Sequence, residues 1–207
     1  MVETPGEEAN TMQLVMVTGF LGSGKTSLII RLADAARTMG HSVAIIVNEV
    51  GEIGIDDKVL RQLDLDVWEL TNGCICCSLA GDLIETLHKL DTSYRPDLVV
   101  VEASGAADPA SILAALPYYR GQALQSTRWI TVLDPYRLPM LLEVMTPLVT
   151  SGIKQADQLV ISRVDVASSA EIETTAAAAQ AINEQAPIHR VDLTGPLSGS
   201  LAHELLS

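Results

Sequence analysis

Gly19-Phe20-Leu21-Gly22-Ser23-Gly24-Lys25-Thr26 fits G-x-x-x-x-G-K-[ST] at every fixed position and follows the apolar run Leu14-Val15-Met16-Val17. This is the pattern of a phosphate-binding loop between a strand and a helix. Gly19, Gly22 and Gly24 let successive backbone N–H groups turn inward around the α- and β-phosphates, with Ser23 and Ser27 in the same wrap. Lys25 is expected to reach the β/γ oxygens, and Thr26 to offer its hydroxyl to Mg²⁺. The helix that starts here aims its positive end at the same phosphates. A glycine-rich turn with an incidental Lys-Thr is the bland alternative, but the flanking strand and helix patterns are both in place.

Working outward, Ser27 to Thr38 has helical spacing and Met39-Gly40 supplies a stop. Val43 to Val47 is a short apolar run of the kind that forms a buried parallel strand, which completes a βαβ unit. Just past it, Asn48 to Asp57 places Glu49, Glu52, Asp56 and Asp57 beside Gly51 and Gly54. Ligands bind at that edge of open α/β sheets. Glu49 is therefore expected to join Thr26 around Mg²⁺, in a loop that changes shape when the γ-phosphate leaves. Asp56 and Asp57 read equally well as acidic surface. Lys58 to Leu63 reads as helix, and Asp66 to Leu70 as a third strand.

That strand runs into Thr71-Asn72-Gly73-Cys74-Ile75-Cys76-Cys77-Ser78, and these three cysteines are all that the chain contains. Thiolates are soft ligands for Zn²⁺, Cu(I) and related ions, and three of them leave a tetrahedral site one ligand short. A Cys74–Cys77 redox pair and inert buried thiols are the alternatives that the residues leave open. Ser78 to Leu90 carries an apolar stripe at Leu79, Leu83, Ile84, Leu87 and Leu90, with His88 beside it.

Asp97 to Glu102 is an apolar strand that ends on an acid, the Walker B arrangement in which the carboxylate holds the Mg²⁺ shell or its water. Gly105 then lets a backbone N–H approach the γ-phosphate. A helix from Ala107-Asp108-Pro109 to Leu116 and a strand over Trp129 to Leu133 follow, with Asp134 and Pro135 as turn residues. Tyr136 to Gln155 reads as helical pieces broken by Pro139, Pro147 and Gly152. Gln158 to Ser162 is a sixth strand, and Arg163-Val164-Asp165 stands where guanine-binding proteins carry N-K-x-D. A carboxylate there accepts from the purine N1–H and exocyclic amine, a pair that adenine lacks. Asp165 supplies it, Arg163 can cover the ring with its planar group, and Ser162 takes the place of the Asn. An Ala-rich helix over 168–184, a last strand over Ile188 to Leu193 and a short terminal helix complete the chain.

Composition sets the bounds. The 207 residues suffice for one domain with a sizeable core, here divided into a disordered leader over 1–11 and a phosphate-loop GTPase domain over 12–207. Hydrophobic residues make up 48% and aromatics 3%, so Val, Leu, Ile and Ala must build the core, as in parallel strands covered by helices. The net charge of −13 repels nucleic-acid backbones and anionic lipid, so neither is expected as a partner, and a nucleotide must be held locally. The acidic start has no signal-peptide character, and a cytoplasmic protein is expected.

GFLGSGKTS, NEVGEIGIDD, GCICCS, EASGAADP and SRVD, in this order, resemble the CobW-like GTPases of the group that includes HypB and UreG, from about Gln13 to Leu193. The resemblance implies an α/β phosphate-loop NTPase with a mainly parallel sheet of about seven strands and helices on both faces. It implies slow hydrolysis of GTP to GDP, with Lys25, Glu49 and Glu102 as the catalytic group and Thr26, Glu49 and Glu102 around Mg²⁺. It also implies a transition-metal site at Cys74, Cys76 and Cys77 for zinc or cobalt, with nickel less favoured. Such proteins are often homodimeric and serve a client metalloenzyme or corrinoid protein. Against that pattern, the sequence is expected to hold the nucleotide domain alone, without the C-terminal domain and His-rich stretch typical of the group. The runner-up reading is a nucleotide-gated regulatory binding protein whose cysteines are structural.

Overall fold

The computed structural model describes residues 11–47, 66–69, 79–103 and 109–207. The strands are β1 (Thr11–Gly19), β2 (Val43–Val47), β3 (Asp66–Glu69), β4 (Leu98–Glu102), β5 (Ala123–Leu133), β6 (Gln158–Ile161) and β7 (Ile188–Arg190). The helices are α1 (Lys25–Thr38), α2 (Leu79–Ser93), α3 (Pro109–Ala115), α4 (Leu138–Val144), α5 (Thr146–Lys154), α6 (Ser169–Ile182) and α7 (Gly199–Leu206). The strands form one 7-stranded sheet in the order β3-β2-β4-β1-β5-β6-β7, and every pairing is parallel.

The alternation of side chains along each strand sorts the core into layers. Val15, Val17, Ile45, Val100 and Val132 face Leu28, Ile29 and Leu32 of α1 and Leu205 of α7. Their neighbours Leu14, Met16, Ile46, Val99 and Val101 point the other way, onto Leu83, Leu87 and Leu90 of α2 and Ile112 of α3. A third cluster, with Leu133, Leu159 and Ile161, is covered by α4, α5 and α6 through Leu138, Val149, Ile153 and Ala179. β2 is buried at all five positions because both of its faces are covered, which is why its sequence is continuously apolar.

Register fixes what meets at the carboxyl edge of the sheet. Val17 of β1 and Val47 of β2 both align with Glu102 of β4, and Gly19 aligns with Val132 of β5. The phosphate loop therefore leaves β1 directly beside the end of β4.

Several sequence expectations are corrected. Thr11 belongs to β1 rather than to a leader. β5 begins at Ala123 and not at Trp129; its first half is polar because it is only partly buried, yet it pairs with β1 from Thr11 onward across a register shift between Met12 and Gln13. Pro139 and Pro147 do not break helices but sit in the first turns of α4 and α5, where a missing N–H costs nothing, and Gly152 lies inside α5. β7 ends at Arg190, and α6 spans 169–182 with Ser168 and Glu171 forming a capping box. The predicted helix at Lys58 to Leu63 lies outside the described residues.

Candidate functional site

Gly19 ends β1 so close to β5 that a Cβ there would lie 2.5 Å from the Val132 carbonyl oxygen, so only glycine fits. The loop then closes on itself: the Ser23 N–H donates to the Phe20 carbonyl at 3.0 Å. Gly24 caps α1 with φ 96, a left-handed conformation that suits glycine, and no side chain caps that helix end. The first turn of α1 also carries no acid. The N–H groups of that turn and the helix dipole thus favour an anion that no described side chain at this helix end supplies.

Lys25 is buried, and its Nζ donates to the Phe20 carbonyl at 3.2 Å. Burial pushes its ammonium below the usual lysine range, while Glu102 works against that shift. The Thr26 hydroxyl lies 3.2 and 3.3 Å from the two carboxylate oxygens of Glu102. Burial pushes the Glu102 carboxyl above the usual range, with Lys25 and the Thr26 hydroxyl opposing. A half-desolvated carboxylate and a hydroxyl on adjacent elements are hard oxygen donors, the set that Mg²⁺ takes together with phosphate oxygens and water. Ser27 is exposed on the first turn of α1.

The other flank of the loop is held from β6. Ser162 is buried, and its hydroxyl donates to the Ser23 carbonyl at 2.6 Å. Arg163 takes φ 56, and its Nη2 donates to the Gly22 carbonyl at 2.8 Å. Asp165 follows in the same turn, which is closed by Ala167 N–H donating to the Arg163 carbonyl at 2.9 Å. Its carboxylate is exposed and makes no hydrogen bond with a described residue. Leu193, beyond β7, packs near Gly24, where a Cβ would meet its Cδ1 at 3.3 Å.

Gly19, Gly22, Ser23, Gly24, Lys25, Thr26, Glu102 and Arg163 are thus brought together, with Ser27 and Asp165 at the margins. Glu49, Gly105, Cys74, Cys76 and Cys77 lie outside the described residues, as does the acidic loop that carries Glu49. Among the described residues no three His, Cys, Asp or Glu side chains cluster as metal ligands. Two residues at the site escaped the sequence reading. Asp134, read as a turn residue, is buried and pairs with Arg163 (Nε–Oδ2 3.1 Å) and Arg137 (Nε–Oδ2 3.6 Å). Arg137 in turn donates to the Leu21 carbonyl. An acid at the carboxyl end of a strand beside the phosphate loop is the same signal that singled out Glu102, and Pro135 after it masked that signal as a turn.

The profile of the CobW/HypB/UreG nucleotide-binding domain matches residues 13–190. The chain is 30% identical over 191 residues to the zinc chaperone YjiA of Escherichia coli, a match covering 88% of this chain and 58% of that protein. It is 43% identical over 107 residues to the zinc chaperone CobW of a Sinorhizobium species, covering 48% of this chain and 30% of the relative. The chain thus spans about a third to just over half of the length of these relatives. Among solved structures, the hydrogenase maturation factor HypB of Archaeoglobus fulgidus superposes with a TM-score of 0.66 at 20% identity, over 96% of this chain and 90% of that one. Zn(II)-bound YjiA GTPase of E. coli gives 0.66 at 24% identity, over 95% and 61%. The all-parallel sheet is thus the phosphate-loop NTPase fold, and the chain belongs to the CobW/HypB/UreG family through its nucleotide-binding domain.

Proposed function

We propose that this protein binds GTP with Mg²⁺, hydrolyses it slowly, and uses the cycle to handle a transition metal, zinc before cobalt or nickel, for a client metalloenzyme or corrinoid protein. The observation that carries the nucleotide half is the convergence of Lys25, Thr26 and Glu102 at an uncapped helix N-terminus. Lys25 and the N–H groups of the loop neutralise the β/γ phosphates. Thr26 and Glu102, with Glu49, are the residues that would hold Mg²⁺, which supplies charge stabilisation to the phosphoryl oxygens. Glu102 or Glu49 orders the attacking water, and Gly105 offers its N–H to the γ-phosphate. Asp165 reads guanine, and Arg163 covers the ring from its place on the loop.

The metal half is supported by relatives called zinc chaperones and by the chemistry of Cys74, Cys76 and Cys77, whose thiolates suit zinc. Reduced thiols suit a cytoplasmic setting, and a homodimer is the assembly expected of the group. The test is GTP turnover by the purified protein with Mg²⁺, beside the Lys25→Ala variant. Phosphate release that is absent in the variant supports the reading. No turnover in the native protein, or equal turnover in both, overturns it.

A further inference from the structure

Asp134 follows directly on the buried end of β5, with its side chain only 4% exposed. Its Oδ1 accepts from the Tyr136 N–H at 3.0 Å, which leaves Oδ2 for the two arginines. Each guanidinium uses a second nitrogen on the phosphate loop, Arg163 on the Gly22 carbonyl and Arg137 on the Leu21 carbonyl. The arginine side chains are themselves 43% and 48% exposed, so water could satisfy them without this arrangement. Arg163 nevertheless adopts a left-handed backbone at φ 56, which a residue with a side chain takes only when its surroundings hold it there.

The consequence follows from peptide geometry. In a planar trans peptide the carbonyl of one residue and the N–H of the next point in opposite directions. Holding the Leu21 carbonyl outward directs the Gly22 N–H to the other side of the loop. Holding the Gly22 carbonyl does the same for the Ser23 N–H, which closes the turn onto Phe20. Ser162 acts likewise on the Ser23 carbonyl and so on the Gly24 N–H. The Gly22 and Gly24 N–H groups have no acceptor among the described residues.

We propose that Asp134 is a positioning residue for the nucleotide. Through Arg137 it holds the Leu21 peptide so that the Gly22 N–H faces the phosphates, and through Arg163 it holds the Gly22 peptide so that the Ser23 N–H keeps the turn closed on Phe20. Through Arg163 it ties that loop to the turn bearing Asp165. The inference rests on the nucleotide-binding reading above. A merely structural ion pair would lower the melting temperature of the nucleotide-free protein and leave the affinity of the folded protein alone.

Asp134→Asn isolates the role, because the amide oxygen can still accept from Tyr136 while the charge that gathers both arginines is gone. Fluorescence titration with mant-GDP and Mg²⁺ should show binding weakened by about tenfold, with the nucleotide-free melting temperature nearly unchanged. Arg137→Ala should weaken binding too, and Arg137→Lys should not restore it, since a single ammonium cannot bridge the carboxylate and the carbonyl as a fork does. The Asp134→Asn, Arg137→Ala double variant should lose less than the two single losses combined, because both remove one contact. Arg190→Ala, which breaks only a surface pair with Glu173, should bind as the native protein does. Should Asp134→Asn fail to fold, Arg137→Ala and Arg137→Lys carry the same test from an exposed position. Native protein that does not bind mant-GDP overturns the nucleotide reading and this inference with it. Native protein that binds, with the Asp134 and arginine variants binding equally well, overturns the inference alone.

Discussion

Lys25 and Glu102 pull against each other at the residue scale: burial disfavours the charge on each, and their proximity restores part of it. A ligand that brings its own negative charge rebalances the site in favour of the ammonium, so Lys25→Ala should cost at least about tenfold in nucleotide affinity, about 1.4 kcal/mol, and abolish hydrolysis. Equilibrium binding and phosphate release on the purified variant check this. Asp165 has its carboxylate exposed and bonded to no described residue. GTP should therefore outcompete ATP, and Asp165→Asn should weaken GTP while improving xanthosine triphosphate, whose extra carbonyl accepts from an amide. Competition with the three nucleotides decides it; equal affinity of the native protein for GTP and ATP contradicts the assignment. The phosphate loop was legible because its chemistry is contiguous: eight consecutive residues carry the turn, the cation and the hydroxyl. Asp134 was not, because its partners Arg137 and Arg163 flank a whole helical hairpin and β6, and only the fold returns Arg163 to it.

At the scale of elements, β2 and β4 read most clearly because both of their faces are buried. β2 and β4 are apolar at nearly every position, so burial wrote itself into the sequence, whereas Ser126 and Thr127 of β5 pair with β1 while partly exposed, Gln125 is skipped at the register shift, and the stretch shows no apolar run. Prolines misled because a proline that starts a helix and one that ends it look alike without the neighbouring chain. Gly152 gives a direct test of the corrected boundary. It lies inside α5, and a Cβ there would meet nothing within 4 Å, so Gly152→Ala should raise the melting temperature by about 2–4 °C through helix propensity alone. A lowered midpoint would mean that α5 does not run through this position. The contact between the residues that enter β2 and β4 carries a pH dependence. Partial burial pushes the Asp97 carboxyl upward, but the Ser42 hydroxyl and N–H, each donating at 2.7 Å, outweigh it and hold the carboxyl below its usual range. A depressed carboxyl stabilises the fold above its unfolded-state pKa, and that contribution is lost as pH falls through the folded value. Ser42→Ala should therefore unfold more readily than the native protein at neutral pH, with the gap narrowing below about pH 4. Urea titrations at pH 7 and pH 3 measure both gaps; a gap that widens in acid contradicts the assignment.

For the whole molecule, the parallel sheet gathers the chemistry at one edge. β1 delivers the phosphate loop, β4 delivers Glu102 in register with Val17, and β6 delivers the turn that bears Arg163 and Asp165. Val47 aligns with Glu69, so β2 and β3 end level with each other; the segments that follow them in sequence carry Glu49 and the three cysteines. The fold was read from one motif and the apolar strand runs, and the family match over residues 13–190 agrees with it. The cysteine site could be read only as composition, since its geometry lies outside the described residues. The proposed function requires nucleotide and metal binding to be coupled. Thermodynamic linkage makes any such coupling reciprocal, with about 1–3 kcal/mol the usual range. The most direct measurement is a pair of calorimetric Zn²⁺ titrations of the native protein, one with GDP and one with a non-hydrolysable GTP analogue, each with Mg²⁺. The account predicts zinc affinities that differ by about fivefold or more between the two states, a difference that Cys76→Ser with Cys77→Ser removes while leaving nucleotide affinity nearly intact. Identical zinc affinity in the two nucleotide states would contradict it.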